Sequence, residues 1–265
     1  MKFSVVIPMY NAERTILRAL RSIERQTIKD SIAEIIVVDD GSTDGCVEQL
    51  KKYIQENNST TIVLISQRNQ GAASARNTGI RAASEDWIAL LDADDEWMPR
   101  KLEVQRQILL GRQDIDLLGC EINDFPVNLY VRRLTSLTKI SLHALLIKMF
   151  PQTSTLVFRK SVFDSIGGFE ETMSHGEDGR FLMDAAFTFN CYYFPEKLAI
   201  YDQGKAGFGT SGLSANIMAM RISEKKNLNY LREKNRISTF VFLLATSYAA
   251  MKFFRRRAIH RLRHV

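Results

Sequence analysis

Asp86-Trp87-Ile88-Ala89-Leu90-Leu91-Asp92-Ala93-Asp94-Asp95-Glu96-Trp97 is the stretch on which the fold turns. Five apolar residues, Trp87 to Leu91, give way to four acids within the next five positions. An apolar run too short for a helix reads as a strand buried on both faces. Carboxylates crowded at its end repel one another, and such oxygen ligands suit a hard divalent cation. The stretch therefore predicts a buried strand that carries a cation site at its carboxyl end.

Three earlier runs have the same character. Phe3 to Pro8 is β-branched and closed by proline, Glu34 to Asp39 ends in Asp39-Asp40-Gly41-Ser42-Thr43-Asp44, and Thr61 to Ile65 precedes Gly71-Ala72-Ala73-Ser74-Ala75-Arg76-Asn77. Between them lie helical patterns. The first has Asn11 as expected N-cap and Ile16, Leu17, Leu20 and Ile23 as its apolar face. Strand starts near residues 3, 34, 61 and 87 leave room for helical crossovers, so the expected fold is α/β, a mostly parallel Rossmann-like sheet flanked by helices. Ligands of such sheets bind beyond the carboxyl ends of the strands. Tyr10, Asp39, Asp40, Asp92 and Asp94 all fall there. The small residues before Arg76 suit a helix packed close to sheet or ligand.

Composition narrows the classes. With 265 residues, 45% hydrophobic and 25% charged, the chain can bury a large core. Its three cysteines are scattered without CxxC spacing, which argues for a reducing compartment and against zinc. No signal-peptide pattern precedes Phe3, so a mature start at residue 1 and a cytoplasmic location are expected. The net charge is +6, yet eight cations and no acid follow Glu233, leaving the body at −2. That asymmetry argues against nucleic acid as a partner.

Downstream, Lys101 to Leu110 and Ser141 to Met149 read as helices, and Asp116 to Cys120 and Ser154 to Phe158 as strands. His175-Gly176-Glu177-Asp178 sets acids at a helix start, where the dipole favours them. Gly204 to Ser214 reads as a mobile loop that could close as a lid. The expected division is a nucleotide-binding βα half (1–98), an acceptor half of the same domain (99–215) and a C-terminal helical extension (216–265). In that extension Ile237 to Phe254 carries one charge, Lys252, and is followed by a basic cluster. Three placements stay open: lying on an anionic membrane surface through 237–265, packing on the body, or spanning.

Val5-Val6-Ile7-Pro8-Met9-Tyr10-Asn11, Val37 to Asp44, Ala75-Arg76-Asn77-Thr78-Gly79 and Leu91 to Asp95, in this order and spacing, closely resemble family 2 glycosyltransferases of the GT-A fold. The likeness covers about the first hundred residues and resumes at Gly176-Glu177-Asp178. It implies an inverting hexosyl or N-acetylhexosaminyl transfer from a nucleotide-diphosphate donor, usually UDP-linked, with Mn²⁺ or Mg²⁺. By the same resemblance Pro8 and Tyr10 border the nucleobase, Asp40 accepts from it, and Arg76 lies near the nucleotide. Asp92 and Asp94 form the Asp-x-Asp motif, with Asp94 the direct metal ligand. Asp178 is the general base, with Glu177 its rival and neighbour at the substrate. The acceptor would be a glycan or a lipid-linked or lipopolysaccharide-type chain, met at the inner membrane face.

Other readings compete. Each acid could be a cap or a solvated turn, Trp97 could stack on sugar or pack beneath the site, and His175 could touch a metal or the acceptor or be structural. A non-catalytic nucleotide-sugar or membrane-surface module would share the donor motifs. A nicotinamide dehydrogenase would share the sheet but needs GxGxxG, which Pro8-Met9-Tyr10-Asn11 is not.

Overall fold

A computed structural model of the chain describes residues 1–57, 61–123, 126–129, 132–202 and 216–263. The expected lid, Gly204 to Ser214, lies outside them. Strands β1 (Phe3–Met9), β2 (Ile32–Asp39), β3 (Thr61–Ser66) and β4 (Trp87–Leu90) pair in parallel in the order β3-β2-β1-β4. Helices α1 (Ile16–Glu24), α2 (Cys46–Glu56) and α3 (Ala72–Ala82) connect them. Beyond β4 the sheet is mixed. It includes β5 (Glu96–Trp97), β6 (Leu117–Ile122), β9 (Thr138–Lys139), β10 (Val157–Arg159) and β11 (Cys191–Ile200). Strand β10 runs antiparallel to β4 and β6, β11 parallel to β6, and β5 and β9 antiparallel to β11. A two-residue-per-strand hairpin, β7 (Asn128–Leu129) with β8 (Arg132–Arg133), stands apart. The run read as a strand from Ser154 begins as a 3-10 turn, Thr153–Thr155, and extends only from Val157.

Strand alternation divides the core. Val6, Ile36, Val38, Ile88 and Leu90 face one side, with α3 and α7 (Glu177–Thr188). Val5, Ile7, Ile35, Val37 and Ala89 face the other, with α1, α2 and α4 (Lys101–Gly111). All ten strand residues are fully or almost fully buried, as runs covered on both faces require. In α3, a Cβ on Gly79 would stand 2.4 Å from Val6 Cγ1, so the small-residue helix approaches the sheet and not a ligand at that point.

Pro8 ends the β1–β4 ladder. Its last bond runs from Leu91 N–H to Val6 O, and the next donor on that side of β1 would be the nitrogen of Pro8, which has no hydrogen. The chain after Leu91 is thereby free to leave the sheet and carry its acids outward. Asn11 corrects the expectation of an N-cap, since Thr15 precedes α1. Asn11 sits in the left-handed region (φ 48°) and ties two strand-end loops together. Its N–H donates to Ser42 Oγ at 3.0 Å, and its Oδ1 accepts from Thr43 N–H at 2.8 Å.

Helices α5 (Leu142–Ile147), α6 (Lys160–Ile166), α8 (Ile217–Glu233) and α9 (Thr239–Arg263) complete the molecule. Ser141 caps α5, its hydroxyl accepting from Ala144 N–H. The C-terminal pair is fastened to α7. Arg180 donates to Asn227 Oδ1 and stacks 3.6 Å over Tyr230, while Arg236 and Tyr230 both bond Asp184. Leu228, Ala245 and Ala249 bury one face of α9 with Leu146 of α5. Its opposite face leaves Phe240, Leu243, Leu244, Met251 and Phe254 exposed. No helix among the described residues is long and apolar enough to cross a membrane.

Candidate active site

Asp40 begins the site at the end of β2. It caps no helix of its own loop; that bond belongs to Asp44, which accepts from Cys46 N–H. Instead Asp40 Oδ1 accepts from Gln67 Nε2 and Gln70 N–H, and Oδ2 from Gly71 N–H, all within 2.9 Å. Gly71 opens α3 at φ 91°, a conformation in which glycine is unstrained. A carboxylate offers about four lone-pair sites, so three donors leave one for a ligand donor. Pro8 is half-buried beside this loop and Tyr10 stands exposed at the end of β1.

The acids after β4 separate into distinct roles. Asp92 is held on both oxygens, Oδ1 by Arg76 Nη2 at 2.8 Å and Oδ2 by Thr153 Oγ1 at 2.8 Å. Asp95, read from sequence as a turn acid, is buried. Its carboxylate accepts from Ser154 Oγ and from Asp202 N–H. Burial and the charges of Asp92 and Asp94 push its carboxyl well up. Asp94 alone turns outward, and the protein crowded around it, then Asp92, pushes its carboxyl up to about 6. Its backbone carbonyl accepts from Arg18, which also pairs with Glu96 at 3.0 Å.

Arg76 joins this wall to the start of α7. It is buried, with Nη2 on Asp92 and Nη1 on Glu177 Oε1 at 3.1 Å, and lies 5.5 Å over the Phe169 ring. The two carboxylates, Asp92 first, hold its proton tightly against the cost of burial. Glu177 is thereby occupied. Among the described residues, Asp178 beside it accepts only from Gly179 N–H, at 2.7 Å. Burial, then the charge of Glu177, pushes the Asp178 carboxyl up to about 6. One proton-holding group thus stands open next to a fixed ion-pair bridge.

A cavity of about 1190 Å³ borders Asp178 and runs between α5, α8 and α9. Among the described residues, no three His, Cys, Asp or Glu side chains are arranged to hold an ion by themselves. The donor set nonetheless fits Mg²⁺ or Mn²⁺ in the manner of phosphate-bound ions, which take one or two carboxylates and fill the rest with phosphate and water. Asp94 has the free oxygens for this, and Asp92 stands behind it.

A model of "Glycosyl transferase family 2" matches residues 4–167. The chain belongs to glycosyl transferase family 2. An uncharacterised glycosyltransferase of Nostoc sp. is 36% identical over 177 residues, 63% of this chain and 53% of the relative. A UDP-Glc:α-D-GlcNAc-diphosphoundecaprenol β-1,3-glucosyltransferase of Escherichia coli is 38% identical over 107 residues, 40% of each chain. Among solved structures, a mannosyltransferase of Pyrobaculum calidifontis in complex with GDP-Man and Mn²⁺ superposes with a TM-score of 0.66 at 18% identity, over 94% of this chain and 73% of that one. The shared fold is GT-A. The chain spans about half the length of the curated relatives it matches.

Within this family 2 chain, one sequence reading closes on the packing side. Trp97 is buried, its Nε1 donating to Ser154 O at 2.7 Å with Lys101 Nζ 4.1 Å from its ring, so it packs beneath the site and does not stack on sugar. His175 shares a bond with Ser174 at the surface. Thr153 and Ser154, which order Asp92 and Asp95, escaped the sequence reading because an apolar run hid the turn that presents them. Gln67 escaped too, being one polar residue after a strand with no spacing to mark it.

Proposed function

We propose that the chain transfers a sugar, with inversion, from a nucleotide-diphosphate donor, in the first instance UDP-linked, to a hydroxyl of a glycan or lipid-linked acceptor. The bridge made by Arg76 carries the reading. It fixes Asp92, behind the donor-side carboxylate Asp94, to Glu177, the neighbour of Asp178, so the two halves of a displacement share one rigid element. Pro8 and Tyr10 border the base, and Asp40 takes a base N–H on its remaining lone pair. The acceptor hydroxyl lies against Asp178. As its oxygen bonds to the anomeric carbon and the bond to the diphosphate breaks, its proton passes to the Asp178 carboxylate. When bound at Asp94, with Asp92 behind, a divalent cation neutralises the charge gained by the leaving diphosphate.

Helix α9 adds a location. Its exposed apolar residues beside Arg255, Arg256 and Arg257 suit an anionic bilayer surface, consistent with a peripheral enzyme on the cytoplasmic face. The test of the enzyme reading is a thermal-shift screen against UDP- and GDP-sugars with Mn²⁺ and with chelator. A donor should raise the melting temperature by several degrees only with metal, and Mn²⁺-dependent donor hydrolysis should accompany it. A shift without any turnover would favour a binding module.

A further inference from the structure

The turn that presents Glu177 and Asp178 is built on glycine. Gly176, at φ 69°, precedes α7 in the left-handed region, and Gly179 follows the two acids. Glycine is conformationally permissive, so the local backbone does not by itself fix where the acids stand. Glu177 is fixed through its side chain, by Arg76. Asp178 has no such hold among the described residues, its one bond being to the neighbouring Gly179 N–H. The place of its carboxylate therefore follows the backbone of the turn.

Helix α8 supplies what the turn lacks. Asn227 is 3% exposed in the interior of that helix, a place where a polar group is costly unless it is bonded. Both ends of its amide are used on α7. Its Nδ2 donates to Gly176 O at 2.9 Å, and its Oδ1 accepts from Arg180 Nε at 2.9 Å. Gly176 O can only accept and Arg180 can only donate, so the amide has one orientation. Neither an apolar residue nor a carboxylate would satisfy both partners. Ser223, one turn earlier on α8, closes on the same glycine: a Cβ on Gly176 would stand 3.2 Å from the Ser223 Cβ. Arg180 is itself held, stacked 3.6 Å over Tyr230, whose hydroxyl bonds Asp184. The first turn of α7 is thus gripped at Gly176 and at Arg180, with Asp178 between them.

We infer that Asn227 is a positioning residue for Asp178: by holding Gly176 O it sets the turn that aims the carboxylate at the attacking hydroxyl. This rests on the reading of Asp178 as the acceptor-side base. Asn227 itself touches no reacting atom and acts through the backbone of residues 176–179. The inference gives α8 a part in turnover that is separate from any contact α9 makes with a bilayer.

The test is Mn²⁺-dependent hydrolysis, by the full chain, of the UDP- or GDP-sugar that gives the largest thermal shift, with water in the acceptor's place. Misplacing a catalytic group by about 1 Å costs about 10²-fold. Asn227→Ala should accordingly lower kcat by about 10- to 100-fold, while the KM and the thermal shift for the donor stay as in the wild type. In an Asp178→Asn background the same substitution should lower kcat no further, because a residue that acts only through Asp178 has nothing left to place. Arg236→Met is the control for loosened packing. It breaks the contact with Asp184 farther along α7, so it should lower the melting temperature and leave kcat alone. Asn227→Asp, assayed at about pH 8 where the new carboxylate cannot donate, keeps the acceptor for Arg180 and loses the donor for Gly176 O. It should lose kcat as the alanine variant does, and it carries the test if that variant does not fold. An unchanged kcat, an equal fall with and without Asp178, or a like fall in Arg236→Met overturns the inference and leaves α8 as packing. If Asp178→Asn by itself leaves hydrolysis unchanged, the reading of Asp178 as base fails and the inference falls with it.

Discussion

The proposed donor and acceptor sides of the site are built in opposite ways. On the donor side the carboxylates are held: Asp40 by three donors, Asp92 by Arg76 and Thr153, Asp95 by Ser154 and Asp202 N–H, with only Asp94 turned out. On the acceptor side Asp178 has one backbone donor and faces an open cavity formed by helices distant in sequence. The difference teaches how the labour divides. A diphosphate and its cation need a preorganised, charge-balanced wall, whereas a proton acceptor needs a group left partly unsatisfied, so that its pKa sits near the working pH.

The sharpest way to break this comparison is Asp178→Asn. Removing a general base costs about 10²–10⁴ in rate, and transfer should fall by that much while metal-dependent donor binding, read by thermal shift, stays as in the wild type. With the Asp178 carboxyl at about 6, wild-type turnover should decline as pH drops through that value, because the protonated acid cannot accept the hydroxyl's proton. Stability moves the other way. The folded state keeps on Asp178 a proton that the unfolded chain releases near its ordinary value of 3.8, so stability falls as pH rises between about 4 and about 6. The Asn variant should lack that fall, and its melting temperature at pH 7 should equal or exceed the wild type's. Unchanged turnover would remove Asp178 from the mechanism.

Next in size is the link between the two sides. Arg76→Met leaves Asp92 and Glu177 without their shared cation in a buried setting. Breaking a buried pair from one side costs about 3–5 kcal/mol, so urea unfolding should show a stability lowered by that amount, read as a lower midpoint with little change in slope. Adding Glu177→Gln should recover part of the loss, since one of the stranded charges is gone. Full additivity of the two substitutions would show that Arg76 does not couple the halves, and the bridge would lose its place in the argument.

Much of the donor side was legible in the sequence because its logic is local. Val5 to Pro8, Val37 to Asp40 and Trp87 to Asp92 are strands whose ends must meet once the sheet is parallel, so spacing alone gathers Tyr10, Asp40, Asp92 and Asp94. The sequence could not say which oxygens remain free. That depends on Gln67, Thr153 and Ser154, which arrive from other loops, and on Arg76, whose partners lie 16 and 101 residues away. Asp95 shows the limit well: one position from Asp94, it is buried and bonded to the backbone of Asp202, 107 residues on. The mixed half of the sheet was least legible. Strands as short as β5, β9 and β10 carry no period, and β10, entered through the 3-10 turn at Thr153–Thr155, runs antiparallel to β4.

Lys101 supplies the smallest effect and the clearest control. It is fully buried under the donor wall, its Nζ donating to Gln105 Oε1 at 2.9 Å above the Trp97 ring. Gln105 in turn donates to Thr155 O and Leu118 O, clasping α4 to the sheet. Burial pulls the Lys101 ammonium down to about 8, with Cys120 the main opposing influence. It is displaced by about as much as Asp178, yet it does not line the cavity that borders Asp178. A displaced titratable group therefore marks a site only where a substrate can approach it. The unfolded chain holds the Lys101 proton up to about 10.5, the folded chain only to about 8, so stability should rise with pH between those values. In Lys101→Met, which fills the same space without a charge, that rise should be lost while turnover at pH 7 and the dependence on pH near 6 stay put. If Lys101→Met instead moved the acid limb of the activity profile, the donor floor and the acceptor base would be electrostatically joined, and the two sides could no longer be treated as separately built.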